Sequence, residues 1–479
     1  MTQSHNSSKH IAILGAGPGG YVAAIRAAQL GAQVTVVEQE ALGGVCLNWG
    51  CIPSKALLAV VELGDKLKKA AEMGLTGVGT FGYDPARMVS RKNTVVASLR
   101  RGVATLFKSW NITHVEGRGA LVDARTIRVT KSDGSRQDVQ ADALVVATGS
   151  SWPNLPQFPV DGRLVITSRE ALDLSVVPAS LLIIGGGVEG CEFASLYSGL
   201  GTKVTVVELL PRVLPTEDEE ISMIVARELK KRSAEICVGT SVEQWERRPG
   251  GLKATLKDGT IVDAQQILVS VGRGFNTRDI GLERVGVALG RRGEVLVDET
   301  LQTNVAGVYA IGDVTGKAML AHVASAQGKV AVAHALGHEA RINYDVIPAG
   351  IFTLPEVGRV GLTEAQARAQ CEARGGEPAH DLKVGRFRYV ALGKSQATGE
   401  TTGLFKLIAD GQTGKLLGAH IVGAHASDLI HEAALAMETD IPASRVASMI
   451  HAHPTMAEGL MEAAEDLTGE AIHLARVRT

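Results

Sequence analysis

The sequence predicts an α/β fold: two copies of a strand, glycine turn, helix, strand unit, with a separate α+β domain at the C-terminal end. Three observations carry this. Gly15-Ala16-Gly17-Pro18-Gly19-Gly20 recurs as Gly185-Gly186-Gly187-Val188-Glu189-Gly190. Each copy follows a short apolar run and precedes a helical pattern. A chain of 479 residues is too long for one core and suggests about three domains.

Composition limits the function classes. Charged residues make up 21% of the chain and the formal net charge is −2, so no broad attraction to nucleic acid or to an anionic membrane is expected. No uninterrupted apolar run approaches a bilayer span, and Met1–His10 is polar without the apolar core of a signal peptide. The expected location is cytoplasmic. The five cysteines, at 46, 51, 191, 237 and 371, are too sparse for a disulfide scaffold. Cys191, Cys237 and Cys371 read as small packing groups, and no residue set is assigned to a metal.

In chain order, His10–Leu14 is the first strand, the Gly15–Gly20 turn opens a helix through Leu30, and Val34–Val37 is the second strand. Glu38 ends that strand close to the ~20-residue spacing at which an acid reaches a ribose 2′-hydroxyl. Gly15, Gly17 and Gly20 permit the tight turn and let backbone approach a pyrophosphate, which a helix N-terminus then holds. The unit is therefore a Rossmann-like dinucleotide-binding one.

The next stretch, Leu42–Leu58, reads LGGVCLNWGCIPSKALL. On an ideal helix Cys46 and Cys51 would sit ~7.5 Å apart along the axis alone, beyond ordinary disulfide reach. The turn must be distorted, and Gly50 and Pro53 supply the means. By spacing alone such a pair is more often two unpaired structural thiols. With Lys55 and a helix N-terminus favouring thiolate, the neighbours point instead to a redox-active dithiol.

Val60–Trp110 reads as long helices with a loop near Gly74–Asp84, and Asn111–Val139 alternates around a hairpin signal at Asp133-Gly134. Ala143–Val146 is a buried strand running into Thr148-Gly149. Ser150–Pro159, with Pro153, Pro156 and Pro159, reads as a crossing linker. The second unit then has Leu181–Ile184 and Val204–Val207 as strands, with Gly185, Gly187 and Gly190 in its turn and Glu208 at its end. Two such units imply two nucleotides and electron passage between them. Glu208 can accept from a free ribose hydroxyl and would repel a 2′-phosphate, which favours NAD over NADP, although Arg212 stands close by. Gly272-Arg273-Gly274 leaves this unit. Tyr309–Val314 places Asp313 after a strand and a glycine, and Met319-Leu320-Ala321-His322 opens a helix whose dipole suits developing negative charge. The C-terminal stretch from about Tyr344 has alternating runs at Leu404–Ile408 and Leu416–Val422, then helices from Asp428. Its His451-Ala452-His453-Pro454 segment reads as a surface turn, a metal pair or a base. As a base, His453 would use the near-neutral titration of histidine and Glu458 would orient its ring.

The segment GGVCLNWGCIPSKALL resembles the redox-active site of the flavin-dependent pyridine nucleotide disulfide oxidoreductases, and the resemblance extends through nearly the whole chain. It implies FAD on the first unit, NAD on the second, and a homodimer formed by the last domain. The implied segments are 1–150 and 276–345 for FAD, 151–275 for NAD and 346–479 for dimerisation. It also implies that Cys46 exchanges with substrate and Cys51 lies against the flavin. Thr148-Gly149 would close the FAD unit, and Asp313 would contact the ribityl chain. Lys55 would pair with Glu192 near the flavin, and the HxHPTxxE segment would supply His453 and Glu458 as base and partner. Gly274 departs from the family pattern and should loosen its turn. Trp49 and Glu189 are further departures.

Within the family, IPSKALL is most similar to members that oxidise protein-bound dihydrolipoyl groups. That implies a lipoyl-bearing E2 acyltransferase or glycine cleavage H protein as partner. A related NAD(P)H-dependent disulfide reductase, or a flavin redox sensor without turnover, is the alternative. Against close relatives stand the lack of a cysteine pair after Cys371 and the reading Ile52-Pro53-Ser54-Lys55 in place of VPKK.

Overall fold

The computed structural model describes residues 8–475, so most of the polar Met1–His10 stretch lies outside the described residues. The first unit starts with β1 (His10–Leu14), α1 (Pro18–Gln29) and β2 (Gln33–Glu38). Then come α2 (Gly44–Trp49), α3 (Cys51–Lys68), α4 (Pro85–Ser109) and β3 (Thr113–Glu116). A three-stranded antiparallel layer, β4 (Arg118–Asp123), β5 (Thr126–Thr130) and β6 (Arg136–Gln140), precedes β7 (Ala143–Val146). β1 pairs in parallel with both β2 and β7. Helices cover one face of this sheet and the β4–β6 layer the other, so its strands are buried on both faces.

The chain leaves through β8 (Ser150–Ser151) and enters the second unit at β9 (Val165–Ile166) and α5 (Ser168–Ala171). There β10 (Ser180–Ile184), α6 (Val188–Gly199), β11 (Lys203–Glu208), α7 (Glu219–Lys231) and β12 (Glu235–Val238) repeat the first pattern. An antiparallel layer follows again, β13 (Val242–Arg248), β14 (Gly251–Leu256) and β15 (Ile261–Ala264), then β16 (Gln266–Val269). The duplication holds at atomic detail. Gly15 N donates to Val37 O and Gly185 N to Val207 O, each at 2.8 Å. A Cβ on Gly20 would stand 1.9 Å from Gly15 O, and one on Gly190 would stand 1.9 Å from Gly185 O.

The exit β17 (Gly274–Phe275) pairs antiparallel with β8, so the chain departs and returns through adjacent strands. Gly274 therefore does not loosen a turn as expected. It is paired with Ser151 in a short ladder, and Gly272 takes the left-handed backbone instead, at φ +99°. α8 (Leu282–Val285) leads to β18 (Val308–Ala310), which adds to the first sheet beside β7, and α9 (Ala321–Ala335) packs along α1.

The C-terminal domain is an antiparallel sheet in the order β19 (Ala349–Ile351), β20 (Val357–Gly361), β23 (Leu416–Val422), β22 (Leu404–Asp410), β21 (Leu382–Arg388). Its helices are α10 (Glu364–Ala373), α11 (Pro378–Asp381), α12 (Gly393–Thr398), α13 (Ala426–Glu438), α14 (Ala443–Ser448) and α15 (Glu458–Asp466). The alternation expected at 404–408 is absent, because β22 is buried from Leu404 through Ala409. α13 and α15 pack on the sheet, and side chains of β20, β21 and β22 also meet α7 and the loop before it. By length and composition alone Gly44–Lys68 could cross a membrane. Here it is broken at Gly50, and Val61 of α3 packs where a side chain on Gly199 of α6 would stand.

Candidate functional site

Local chemistry sets the dithiol in place. Gly43 and Gly44 are left-handed, at φ +96° and +59°, and a Cβ on Gly44 would lie 2.6 Å from Gly17 Cα. The loop before α2 is thus pressed against the first glycine turn, an approach only glycine allows. Buried Asn48 locks it by donating to Leu42 O at 3.0 Å and Gly44 O at 2.9 Å. The expected distortion lies at Gly50 (φ −141°, ψ −109°), which ends α2 and lets Cys51 begin α3. The Cys46 and Cys51 side chains meet across this break as free thiols. The side-chain interaction with Cys51, together with burial, pushes the Cys46 thiol up. That same interaction, aided by the Lys55 charge, outweighs burial and holds the Cys51 thiol down. Cys51, at a helix N-terminus, is the member of the pair whose thiol is held down.

Lys55, one turn along α3, makes the anticipated ion pair with Glu192 on α6, at 2.8 Å. Glu192 also accepts from Phe352 N at 3.0 Å, and Lys55 Nζ lies 4.3 Å from the Phe352 ring centroid.

These groups line one cavity of about 1500 Å³ that reaches both glycine turns. Of the residues singled out in the sequence, Gly15, Gly17, Glu38, Thr148 and Gly149 line its first-unit side, and Gly187 and Gly272 the second. Asp313 and the Met319–His322 start of α9 also line it. Gly20, Gly185, Gly190 and Glu208 do not; they lie beneath the turns.

The site fits two dinucleotides. No atom stands within 4 Å of a Cβ built on Gly187, and the nearest to one on Gly17 is Gly44 Cα at 4.0 Å. No side chain caps α1 or α6, so their first N–H groups remain free for a pyrophosphate. Each strand-end acid is held by its own turn: Glu38 accepts from Ala16 N at 2.7 Å and Glu40 N at 2.8 Å. Glu208 accepts in the same way from Gly186 N at 2.6 Å and Leu210 N at 2.8 Å. Arg212 is turned toward its own loop, 3.3 Å from Pro215 O.

Several cavity residues were not singled out from the sequence. Ser150 Oγ donates to Asp313 at 2.5 Å, and Arg273 Nε donates to Ser150 Oγ at 2.8 Å. Burial lowers the Arg273 pKa against the opposing charges of Glu189, Asp313 and Cys51. Asn276 ties the return strand to Thr148 by paired bonds of 2.8 and 2.9 Å. Arg273 falls in the Gly272-Arg273-Gly274 exit already noted and Asn276 two positions beyond it, which was the available signal. Of the two departures, Trp49 lies 4.3 Å beneath the Arg169 guanidinium, and Glu189 accepts from Ser270 Oγ at 3.2 Å.

His453 Nδ1 meets Glu458 Oε1 at 2.8 Å, and Glu458 Oε2 accepts from Thr455 N at 2.8 Å. Burial would raise the Glu458 carboxyl, but these bonds and the nearby histidines hold it below the usual range. The pair is formed, yet the His453 side chain is 75% exposed and does not line its own chain's cavity. Among the described residues no cluster suited to a metal is found. Cys191 is fully buried, with its thiol pushed up to about 12 by burial, as a packing role predicts.

Residues 9–328 match the pyridine nucleotide-disulphide oxidoreductase family model, and 347–464 match the dimerisation domain of the same family. A dihydrolipoyl dehydrogenase from Chlamydia muridarum is 39% identical over 476 residues, covering 99% of this chain and 100% of the relative. One from Bacillus subtilis is 41% identical over 468 residues, 97% of each chain. Among solved structures, LpdA from Mycobacterium tuberculosis superposes with a TM-score of 0.88 at 31% identity, covering 96% of this chain and 99% of that one. The HOCl-induced flavoprotein disulfide reductase RclA from Escherichia coli gives 0.83 at 27% identity, over 95% of this chain and 99% of that one.

Proposed function

The chain belongs to the pyridine nucleotide-disulphide oxidoreductase family, and on that premise we propose that it is a dihydrolipoyl dehydrogenase with FAD and NAD as its cofactors. One observation carries the reading: a dithiol with a favoured thiolate at Cys51 lines the same cavity as two glycine turns built for dinucleotides. The curated relatives' name supports dihydrolipoyl as the dithiol substrate.

In the oxidised enzyme Cys46 and Cys51 form a disulfide. A substrate thiolate attacks the Cys46 sulfur, making a mixed disulfide and releasing Cys51 as thiolate, which Lys55 and the α3 N-terminus stabilise. The second substrate sulfur then attacks the first, closing the lipoyl disulfide and freeing Cys46. His453 takes the proton from the attacking thiol, because only the thiolate is an effective nucleophile, and Glu458 holds the resulting imidazolium. The substrate has lost two electrons and the enzyme holds a dithiol. When bound, FAD and NAD+ supply the two-electron acceptor chemistry that restores the disulfide.

Since His453 lies outside its own cavity, we place it over the dithiol of a second copy in a twofold homodimer, which the dimerisation-domain match supports. The segments we assign are 1–150 and 276–345 to FAD, 151–275 to NAD, and 346–479 to dimerisation. We assign as substrate carrier a lipoyl-bearing E2 acyltransferase or glycine cleavage H protein, in a reducing compartment such as the cytoplasm; the curated relatives' name supports the lipoyl substrate. The deciding assay is steady-state turnover of dihydrolipoamide with NAD+ against glutathione disulfide with NADPH. Preference for the second pair would overturn the proposal.

A further inference from the structure

His453 is not alone in its loop in having a carboxylate partner. Two residues earlier the His451 side chain is 3% exposed. Its Nε2 meets Glu432 Oε1 at 2.9 Å and its Nδ1 meets Met449 O at 3.0 Å. A carbonyl oxygen can only accept, so Nδ1 donates to Met449 O while Nε2 faces the Glu432 carboxyl, and the ring is held from both sides. One bond closes the Met449–His451 turn. The other ties that turn to α13, one residue beyond Ile430 and His431, which line the cavity.

The loop needs such a tie. Ile450 is 96% exposed, and Ala452, His453 and Pro454 are all exposed. On its far side Glu458 holds His453 Nδ1 and Thr455 N. That fixes the rotation of the His453 ring, and Thr455 Oγ1 donates to Ala452 O at 2.7 Å within the loop, but among the described residues only the Glu432 contact ties the stretch before His453 to α13. His451 also acts on Glu458, and His473, bonded to Glu462, interacts with Glu458 as well.

We propose that His451 and Glu432 form a positioning pair for the base: the bond between them seats the 449–455 loop on α13 so that the free Nε2 of His453 stands where the substrate thiol delivers its proton. The inference rests on the reading of His453 as that base. His451 touches neither substrate nor cofactor in this scheme. It acts through His453, and misplacing a catalytic group by ~1 Å costs on the order of 100-fold in rate.

The test compares paired variants of the holoenzyme in two assays: turnover of dihydrolipoamide with NAD+, and reduction of ferricyanide by NADH, which removes no proton from a thiol. His451→Ala and Glu432→Ala should each lower kcat for dihydrolipoamide by ~10–100-fold, leaving the NAD+ KM and the ferricyanide rate within about twofold. The double variant should be no worse than either single one, because both remove the same contact. His451→Gln keeps a donor to Glu432 and should recover most of the rate. His451→Asn reaches only Met449 O and should not, which keeps the test decisive should the alanine variants fail to fold. Additive losses, equal losses in both assays, or His451→Gln behaving like His451→Asn would overturn the proposal. A wild type inactive with dihydrolipoamide but active with another dithiol would overturn the substrate reading instead, and the same variants then test the pair on that dithiol.

Discussion

Lys406→Met probes how the second nucleotide unit is fastened to the C-terminal domain. Lys406 lies on β22 with its side chain 2% exposed, and its Nζ is 2.8 Å from each of Asp218 Oδ1, Glu220 Oε1 and Glu364 Oε2. Arg386 bonds Glu220 at 2.7 Å and Glu364 at 2.8 Å, and Asp218 caps α7. Removing the lysine leaves three carboxylates sharing fewer cations, and breaking a buried pair from one side costs ~3–5 kcal/mol. Glu364 gives an independent scale. Burial would raise its carboxyl, but hydrogen bonds from Lys406 and Arg368 and the charges of Lys406 and Arg386 hold it at about 2. From 4.5 that corresponds to ~3 kcal/mol, reduced to ~1–2 kcal/mol by solvent on its open side.

A depressed carboxylate contributes stability that is full above its unfolded pKa, ~4.3, and is lost as pH falls toward about 2. The penalty of Lys406→Met should therefore be full at pH 7 and smaller at pH 4. Thermal unfolding of the holoenzyme, followed by tryptophan and flavin fluorescence, should show a midpoint lowered by ~3–5 °C at pH 7. A drop of under ~1 kcal/mol, or an equal drop at both pH values, would mean that packing and not charge holds the two domains, and would refute the reasoning.

Other expected outcomes follow from the site. On two-electron reduction the holoenzyme should show a long-wavelength band that Cys51→Ser abolishes; a Cys51→Ser protein that keeps it would show that Cys51 is not the thiol beside the flavin. Glu208→Ala should narrow the preference for NAD+ over NADP+ in kcat/KM, mainly by weakening NAD+, and a wild type that prefers NADP+ contradicts the assignment. Co-folding Cys46→Ser with His453→Gln chains should restore roughly a quarter of wild-type activity from two nearly inactive parents. Mixed dimers that form yet stay at parental activity would place the whole site within one chain.

What the sequence revealed was local. The glycine turns, the strand-end acids and the dithiol each depend on residues within ~20 positions of one another, and the structure forms all of them. The Lys55–Glu192 pair, distant in sequence, came only from the resemblance. The Lys406 cluster was hidden because a lysine in Leu404-Phe405-Lys406-Leu407-Ile408 looks outward-facing under strand alternation. Two of its carboxylates, Asp218 and Glu220, come from another domain, the first of them 188 positions away. Asn48 was missed for a different reason: nothing in its neighbours announces that its amide closes the Gly43-Gly44 bend. Gly274 was misjudged because glycine suggested freedom where cross-strand pairing with Ser151 removes it.

The break at Gly50 puts the two sulfur atoms on separate helices joined at a single residue. Cys46 rides on a six-residue helix, and Cys51 begins an eighteen-residue one whose inner face is packed between α4 and α6. The Asn48 bonds hold the short piece and the α4 and α6 contacts hold the long one, so making or breaking the sulfur–sulfur bond can be absorbed by the two cysteine side chains across the Gly50 break. The enzyme can cycle its oxidation state without remodelling its core, so oxidised and reduced forms should melt at nearly the same temperature.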